Sequence, residues 1–180
     1  MNFWQGEQVR LRAVEPGDAA FFFELQGDTD RNRLLDFLPP PSSKAALEAW
    51  AREQSQKELD GDAFQWVIEA GGEPVGSIVT HTVSPRHGTF SYALEVARAH
   101  QRRGYAREAI TLVLRYYFGD LRYQKVFVGV QANNEGSAAL HRSLGFLHEG
   151  TQRRMVFQEG RYLDLLLFGL TADELNGQAP

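Results

Sequence analysis

The chain has 180 residues, a formal net charge of −4, 43% hydrophobic and 23% charged residues, and no cysteine. That is enough chain for one domain (1–180) with a sizeable core, and the composition is that of an ordered protein. Zero cysteines excludes disulfides, Cys-ligated zinc, iron–sulfur clusters and a cysteine nucleophile, and the slight acidity argues against a general nucleic-acid binder.

Residues 1–7 show neither the basic stretch nor the apolar run of a leader, and no apolar stretch approaches the ~18 residues that span a bilayer. A cytoplasmic protein without membrane association is expected. Residues 8–13 set Val9, Leu11 and Ala13 against Gln8, Arg10 and Arg12, which predicts a half-buried strand. Turn chemistry at 15–18 follows, with Asp18 placed to cap a helix that carries Ala19, Phe22, Phe23 and Gln26. Pro39-Pro40-Pro41 breaks any regular element, and Ser42 or Ser43 caps a helix that runs to about Leu59.

Three strands are expected at 63–69, 74–83 and 89–97, separated by Gly71-Gly72 and by a turn at 84–88. Ala106, Ile110, Val113, Leu114 and Tyr117 recur at helical spacing, so 105–120 reads as an amphipathic helix. A β-branched strand at 125–131 and a short helix at 134–144, ended by Gly145, come next. Strands at 147–157 and 161–170 meet at Gln158-Glu159-Gly160, and a polar tail follows (171–180). The order predicts an α/β sandwich with a mixed sheet rather than a doubly wound fold.

The chemistry concentrates in Gln101-Arg102-Arg103-Gly104-Tyr105-Ala106, between a predicted strand and a predicted helix. A strand turning into a helix N-terminus aims several backbone N–H groups at one point, and the helix dipole adds positive potential. Gly104 permits close approach, and residues 98–107 hold four arginines and no acid. The pattern suits a pyrophosphate; a solvated basic turn that binds nothing is the rival reading.

Gln-x-x-Gly-x-Ala after a strand resembles the acetyl-CoA motif of the GNAT acetyltransferases. Residues 8–12 followed by Asp18, Asn134 and Ser137 leading to Leu144-Gly145-Phe146, His148-Glu149-Gly150, and Gly160-Arg161-Tyr162-Leu163-Asp164 resemble the RimJ/RimL-type branch. The resemblance covers about residues 7–170. It implies the GNAT fold: a mostly antiparallel sheet of about seven strands, about four helices, and a V-shaped splay between the fourth and fifth strands.

By the same resemblance, acetyl-CoA is the co-substrate and no metal is needed. Its pantetheine pairs with backbone near Val96 and Ala97, and its pyrophosphate takes the turn from Gln101, Arg102, Arg103 and Gly104 to Tyr105, Ala106 and Arg107. Asn134 and Ser137 contact the pantetheine arm, or Asn134 caps its helix. The acceptor is a primary amine, either a protein N-terminal α-amine or a small-molecule amine, in a monomer or homodimer. A non-catalytic CoA-binding module, or a transferase of another acyl group such as succinyl, is the alternative.

Two positions depart from the family pattern. Where many relatives carry the tyrosine that protonates the departing thiolate, this chain has His141, with Ser137 or water as rival donors. Where many carry a glutamate on the strand before the turn, it has Ser91. Glu95, four residues on and on the same strand face, is the candidate base, and His81 is a second. Phe21, Phe22, Phe23 and Trp50 are read as core or acceptor-cleft residues. Arg31, Arg33, Asp28, Asp30 and Asp36 fall in the segment that forms the acceptor side in relatives. Asp164 is read as structural, pairing with Arg161 or a loop amide.

Overall fold

The computed structural model describes residues 2–35 and 38–177. Its strands are β1 (Arg10–Arg12), β2 (Gln65–Ala70), β3 (Glu73–Ser84), β4 (Thr89–Val96), β5 (Lys125–Gln131), β6 (Leu147–Gln158) and β7 (Arg161–Thr171). They form one sheet in the order β1-β2-β3-β4-β5-β7-β6. Every neighbouring pair is antiparallel except β4 and β5, which are parallel. The expected α/β architecture is present.

The helices are α1 (Ala19–Gly27), α2 (Thr29–Leu35), α3 (Lys44–Gln56), α4 (Tyr105–Arg115), α5 (Glu135–Ser143) and the single turn α6 (Ala172–Leu175). Helix α2 lies in the charged segment for which the sequence reading named no separate element. Its start is held by Asp28, whose carboxylate accepts the N–H of Arg31 at 3.2 Å. Ser43 caps α3 by accepting the Ala46 N–H, and the helix stops three residues short of Leu59. Asp18 does not cap α1. Its carboxylate is taken by the Arg12 guanidinium (2.7 and 2.8 Å) and by the Glu15 N–H (2.8 Å). The expected helix at 105–120 is α-helical only to Arg115 and then widens into a π-turn over Tyr116–Asp120. In the polar tail, Thr171 and Glu174 form a capping box around α6. Residues 178–180 lie outside the described residues.

Two helical layers cover the sheet. Ile110, Val113, Leu114 and Tyr117 of α4 and Ala138 of α5 share one buried cluster with Ile68, Ile78, Phe90 and Val126. A smaller cluster joins Val14, Ala19 of α1, Ala51 of α3 and Val67, with Phe22 and Trp50 packed against it. Val67 and Ile68 are chain neighbours that enter opposite clusters, as strand alternation requires. The Phe90 ring stacks on Tyr117 with centroids 3.9 Å apart, anchoring the start of β4 on α4.

That anchor matters because β4 and β5 pair at only two positions, Thr89 with Lys125 and Phe90 with Val126. Beyond them each strand stays with its outer neighbour, β4 with β3 as far as Val96–Gly76 and β5 with β7 as far as Gln131–Leu165. The sheet therefore splays between its fourth and fifth strands. The outer pairing of β4 needs Gly76, where a Cβ would overlap the Glu95 carbonyl oxygen.

Candidate active site

Backbone parity decides which groups face the splay. The Ala97 N–H donates to the Val75 carbonyl on β3 at 2.9 Å, while the Lys125 N–H donates to Gly88 at 3.1 Å. Odd-numbered residues of β4 thus bond to β3 and even-numbered ones face β5. The N–H groups of Leu94 and Val96 point into the opening, past the last β4–β5 pair. The Val96 carbonyl accepts the Gln101 side-chain amide at 3.2 Å. Of the two residues expected to offer backbone to a pantetheine, Val96 faces the opening. The Ala97 N–H is instead taken by the β3 ladder.

The mouth of the opening is a 3-10 turn at Arg98–His100 followed by the exposed residues 101–104 and the start of α4. Arg102 and Gly104 both have positive φ, 61° and 88°. At Gly104 this conformation turns the chain into α4, whose first N–H groups have no intrahelical acceptor. The side chains of Tyr105 and Ala106 pack against the core, so these residues present backbone rather than side chain. Arg107 reaches the Ser143 carbonyl at 3.2 Å and the Ser143 hydroxyl, joining α4 to the end of α5. Arg103 bonds the Ala99 carbonyl, whereas Arg98 is drawn off to Asp28 at 2.8 and 3.0 Å. Fixed amides and mobile guanidinium groups at one helix N-terminus form a good anion cradle.

Helix α5 lies on the α4 side of the sheet. Asn134 caps it, accepting the Ser137 N–H at 3.0 Å, and donates its amide to the Leu34 carbonyl of α2 at 3.0 Å. His141 is only 6% exposed. It lies between the rings of Tyr92 and Phe168, edge-on to Phe146. Its Nδ1 is 2.8 Å from the Ser137 carbonyl and its Nε2 is 2.9 Å from the Tyr92 hydroxyl. A carbonyl only accepts, so Nδ1 carries the proton and Nε2 accepts from the Tyr92 O–H. Burial pushes the imidazole pKa down, against a smaller rise from the Ser137 carbonyl. The expected thiolate acid is therefore a neutral histidine with both nitrogens engaged. Ser137 Oγ lies 3.4 Å from Nδ1, which is already committed to the carbonyl.

Glu95 faces the other layer. It is paired with the Arg31 guanidinium of α2, and Ser77 donates its hydroxyl to the second carboxylate oxygen at 3.1 Å. Arg31 is itself buried, donating also to the Leu25 carbonyl (2.6 Å) and Asn32 Oδ1 (2.7 Å). His81 shares this face, opposite Ser91, but sits four residues from Ser77 along β3, about 13 Å. Glu95 and Arg31 lie at a cavity of about 420 Å³ whose walls include Phe22, Leu25, Leu47 and Trp50. Phe22 and Trp50 thus serve both as core and as cavity wall, their rings meeting edge to face at 4.7 Å. Asp164 accepts the Arg154 N–H at 2.9 Å, the backbone-amide role rather than the Arg161 pair. Asp36 lies outside the described residues.

The site thus combines a splayed parallel pair, an anion cradle at its mouth and a solvent-open cavity on the opposite face. The family model described as an acetyltransferase (GNAT) domain matches residues 8–147. The chain belongs to the GNAT acetyltransferases. It is 37% identical over 175 residues to the SPbeta prophage-derived uncharacterized N-acetyltransferase YokL of Bacillus subtilis, covering 97% of this chain and 96% of that one. The spermidine N(1)-acetyltransferase of Vibrio cholerae is 29% identical over 161 residues, 88% of this chain and 90% of the relative. A crystal structure of Vibrio cholerae spermidine N-acetyltransferase with CoA and spermine superposes with a TM-score of 0.79 at 25% identity, covering 95% and 99% of the two chains.

Two features of this GNAT-type N-acetyltransferase escaped the sequence. One is Tyr92, the partner of His141, which nothing distinguishes from any core strand aromatic. The other is α2 with its buried Arg31. The spacing of Asp28 and Arg31 fits an N-cap followed by N3, and this was the available signal.

Proposed function

We propose that this enzyme, in the RimJ/RimL-type branch, transfers an acetyl group from acetyl-CoA directly to a primary amine within a ternary complex. The observation that carries this reading is the β4–β5 splay, with the Leu94 and Val96 N–H groups aimed into it and the 101–107 turn at its mouth. Open strand amides fit an extended amide chain such as pantetheine, and the turn fits a pyrophosphate. Gln101, Arg102, Arg103, Gly104, Tyr105, Ala106 and Arg107 hold the phosphates, the last through whatever reach its bond to Ser143 leaves. Val96 holds the pantetheine, and Asn134 and Ser137 border its path.

Acetyl-CoA supplies an electrophilic carbonyl on a thiol leaving group. The amine nitrogen attacks that carbon, the carbon–sulfur bond breaks, the amine loses a proton and the thiolate gains one. A β4 N–H in the splay lies ready for the negative charge that grows on the carbonyl oxygen. Ser137, with its hydroxyl hydrogen uncommitted, is the thiolate-side relay, and His141 holds the first turn of α5 through the Ser137 carbonyl. Glu95 orients the amine beside Arg31, and water takes the amine proton. With no cysteine in the chain, no acyl-cysteine forms.

Thiol release from acetyl-CoA and succinyl-CoA over a panel of primary amines tests this. Release from acetyl-CoA with intersecting double-reciprocal lines is expected. Preference for succinyl-CoA, or parallel lines with an isolable acetyl-protein, would overturn it.

A further inference from the structure

We infer that the acceptor is a primary monoamine attached to an apolar body, such as an arylalkyl or branched alkyl amine or a peptide beginning with an apolar residue, and not a polyamine. This rests on the acetyltransferase reading above and concerns the cavity on the α1–α3 face. That cavity, about 420 Å³, is bounded by Phe22, Leu25, Leu35, Pro39, Leu47 and Trp50. A volume of this size seats a small organic molecule, and the apolar wall favours an apolar one.

Several polar groups in the cavity are matched to one another, while the buried Arg31 Nε, a donor that cannot serve an ammonium, has no partner. Gln26 exchanges hydrogen bonds with the backbone of Ser42 at 3.0 and 3.3 Å. Asn32 donates to the Gln26 carbonyl and accepts from Arg31. Among the described lining residues one carboxylate, Glu95, faces one guanidinium, Arg31, so the lining is electrically neutral.

Two further acids among the described residues of this region, Asp28 and Asp30, also face a cation. Asp28 is paired with Arg98, and Asp30 lies 3.7 Å from the same guanidinium. A polyamine carries a second and third ammonium that need counter-charges once removed from water. Here they would meet aromatic and aliphatic walls and a fixed guanidinium. The reacting nitrogen is different, because it must be neutral to attack, so a neutral ion pair at the end of β4 suffices for it. Glu95 also connects the two halves of the site, since it stands between Leu94 and Val96, whose N–H groups face the splay.

The experiment is thiol release by the full chain with acetyl-CoA and 2-phenylethylamine, isoamylamine, a peptide with N-terminal Leu, putrescine or spermidine. The monoamines are expected to exceed spermidine in kcat/KM by about tenfold or more, the scale on which an apolar pocket discriminates. The peptide and small-amine arms distinguish the two sources of the same chemistry. Spermidine or putrescine equal to or better than every monoamine would overturn the inference.

Release with no amine at all would instead overturn the proposed function. Calorimetric binding of 2-phenylethylamine and spermidine then reads the cavity's preference by the same criterion. Leu47 lies on the half-buried side of α3 at the wall, so Leu47→Glu adds a counter-charge without disturbing the core. It is expected to raise the spermidine-to-monoamine ratio about tenfold, with Leu47→Gln leaving the ratio in place. An unchanged ratio in Leu47→Glu would overturn the cavity as the acceptor seat.

Discussion

Burial and hydrogen bonding pull the His141 imidazole in opposite directions, and burial wins, so its pKa in the folded chain lies below the ordinary value. The unfolded chain, with an imidazole pKa of about 6.5, then takes up the proton first. Stability from this group is complete above that pH and is lost as pH falls below it toward the lowered value, at up to about 1.4 kcal/mol per pH unit. His81 is lowered by partial burial and acts in the same direction. Urea denaturation of the wild type and His141→Phe at pH 7.5 and 5.5 separates the two. The variant is expected to lose part of the acid slope. At pH 7.5 it should be less stable by about 1–3 kcal/mol, because the Tyr92 hydroxyl is left buried without its acceptor. An unchanged slope would reject the buried-imidazole account. The thiolate donor that the sequence suggested at this position is therefore better sought at Ser137, and Ser137→Ala should lower kcat while leaving this pH dependence of stability intact.

Among the elements, the splay depends on β4 holding to β3 while it leaves β5. Gly76→Ala places a methyl group against the Glu95 carbonyl oxygen and 3.2 Å from the Val96 Cα. The end of β4 must shift, with an expected cost of about 1–3 kcal/mol and a matching loss of acetyl-CoA affinity by calorimetry. Gly119→Ala, where an added Cβ meets nothing within 4 Å, should change stability by no more than about 0.5 kcal/mol. Helix α4 was legible because its apolar residues recur at helical spacing on one buried face. Helix α2 was not, because the residues it buries are Arg31 and Asn32. A hydrophobic pattern cannot register a helix whose inward face is polar and satisfied by partners elsewhere in the chain. The π-turn at Tyr116–Asp120 was hidden for a related reason, since its apolar residues continue those of α4.

Across the whole molecule, charge is partitioned rather than merely balanced. Residues 98–107 hold four arginines and no acid in a chain of net charge −4. Folding removes Arg98 from that set by pairing it with Asp28, so Arg102, Arg103 and Arg107 remain at the turn. Arg102 and Arg103 are exposed, and their attraction for phosphate is screened by salt. The Arg102→Gln, Arg103→Gln double variant should bind acetyl-CoA about three- to tenfold more weakly at 0.01 M salt. The difference should shrink toward nothing near 1 M, where the Debye length falls from about 30 Å to about 3 Å. A salt-independent defect would show that the two side chains act by shape rather than by charge.

The amino-acid sequence by itself determined the family, the strand order along the chain, the amphipathic α4 and the glycine turn that opens it. These follow from local signals, namely period, caps and a short motif within one segment. Tertiary structure decided the surroundings of the candidate groups: a buried His141 with both ring nitrogens engaged, a Glu95 joined to Arg31, and an Ala97 amide committed to β3. Each outcome depends on a partner far along the chain, 49 residues for Tyr92 and His141 and 64 for Arg31 and Glu95. Protonation and access are set by such neighbours and by removal from water, and neither exists until the chain has folded.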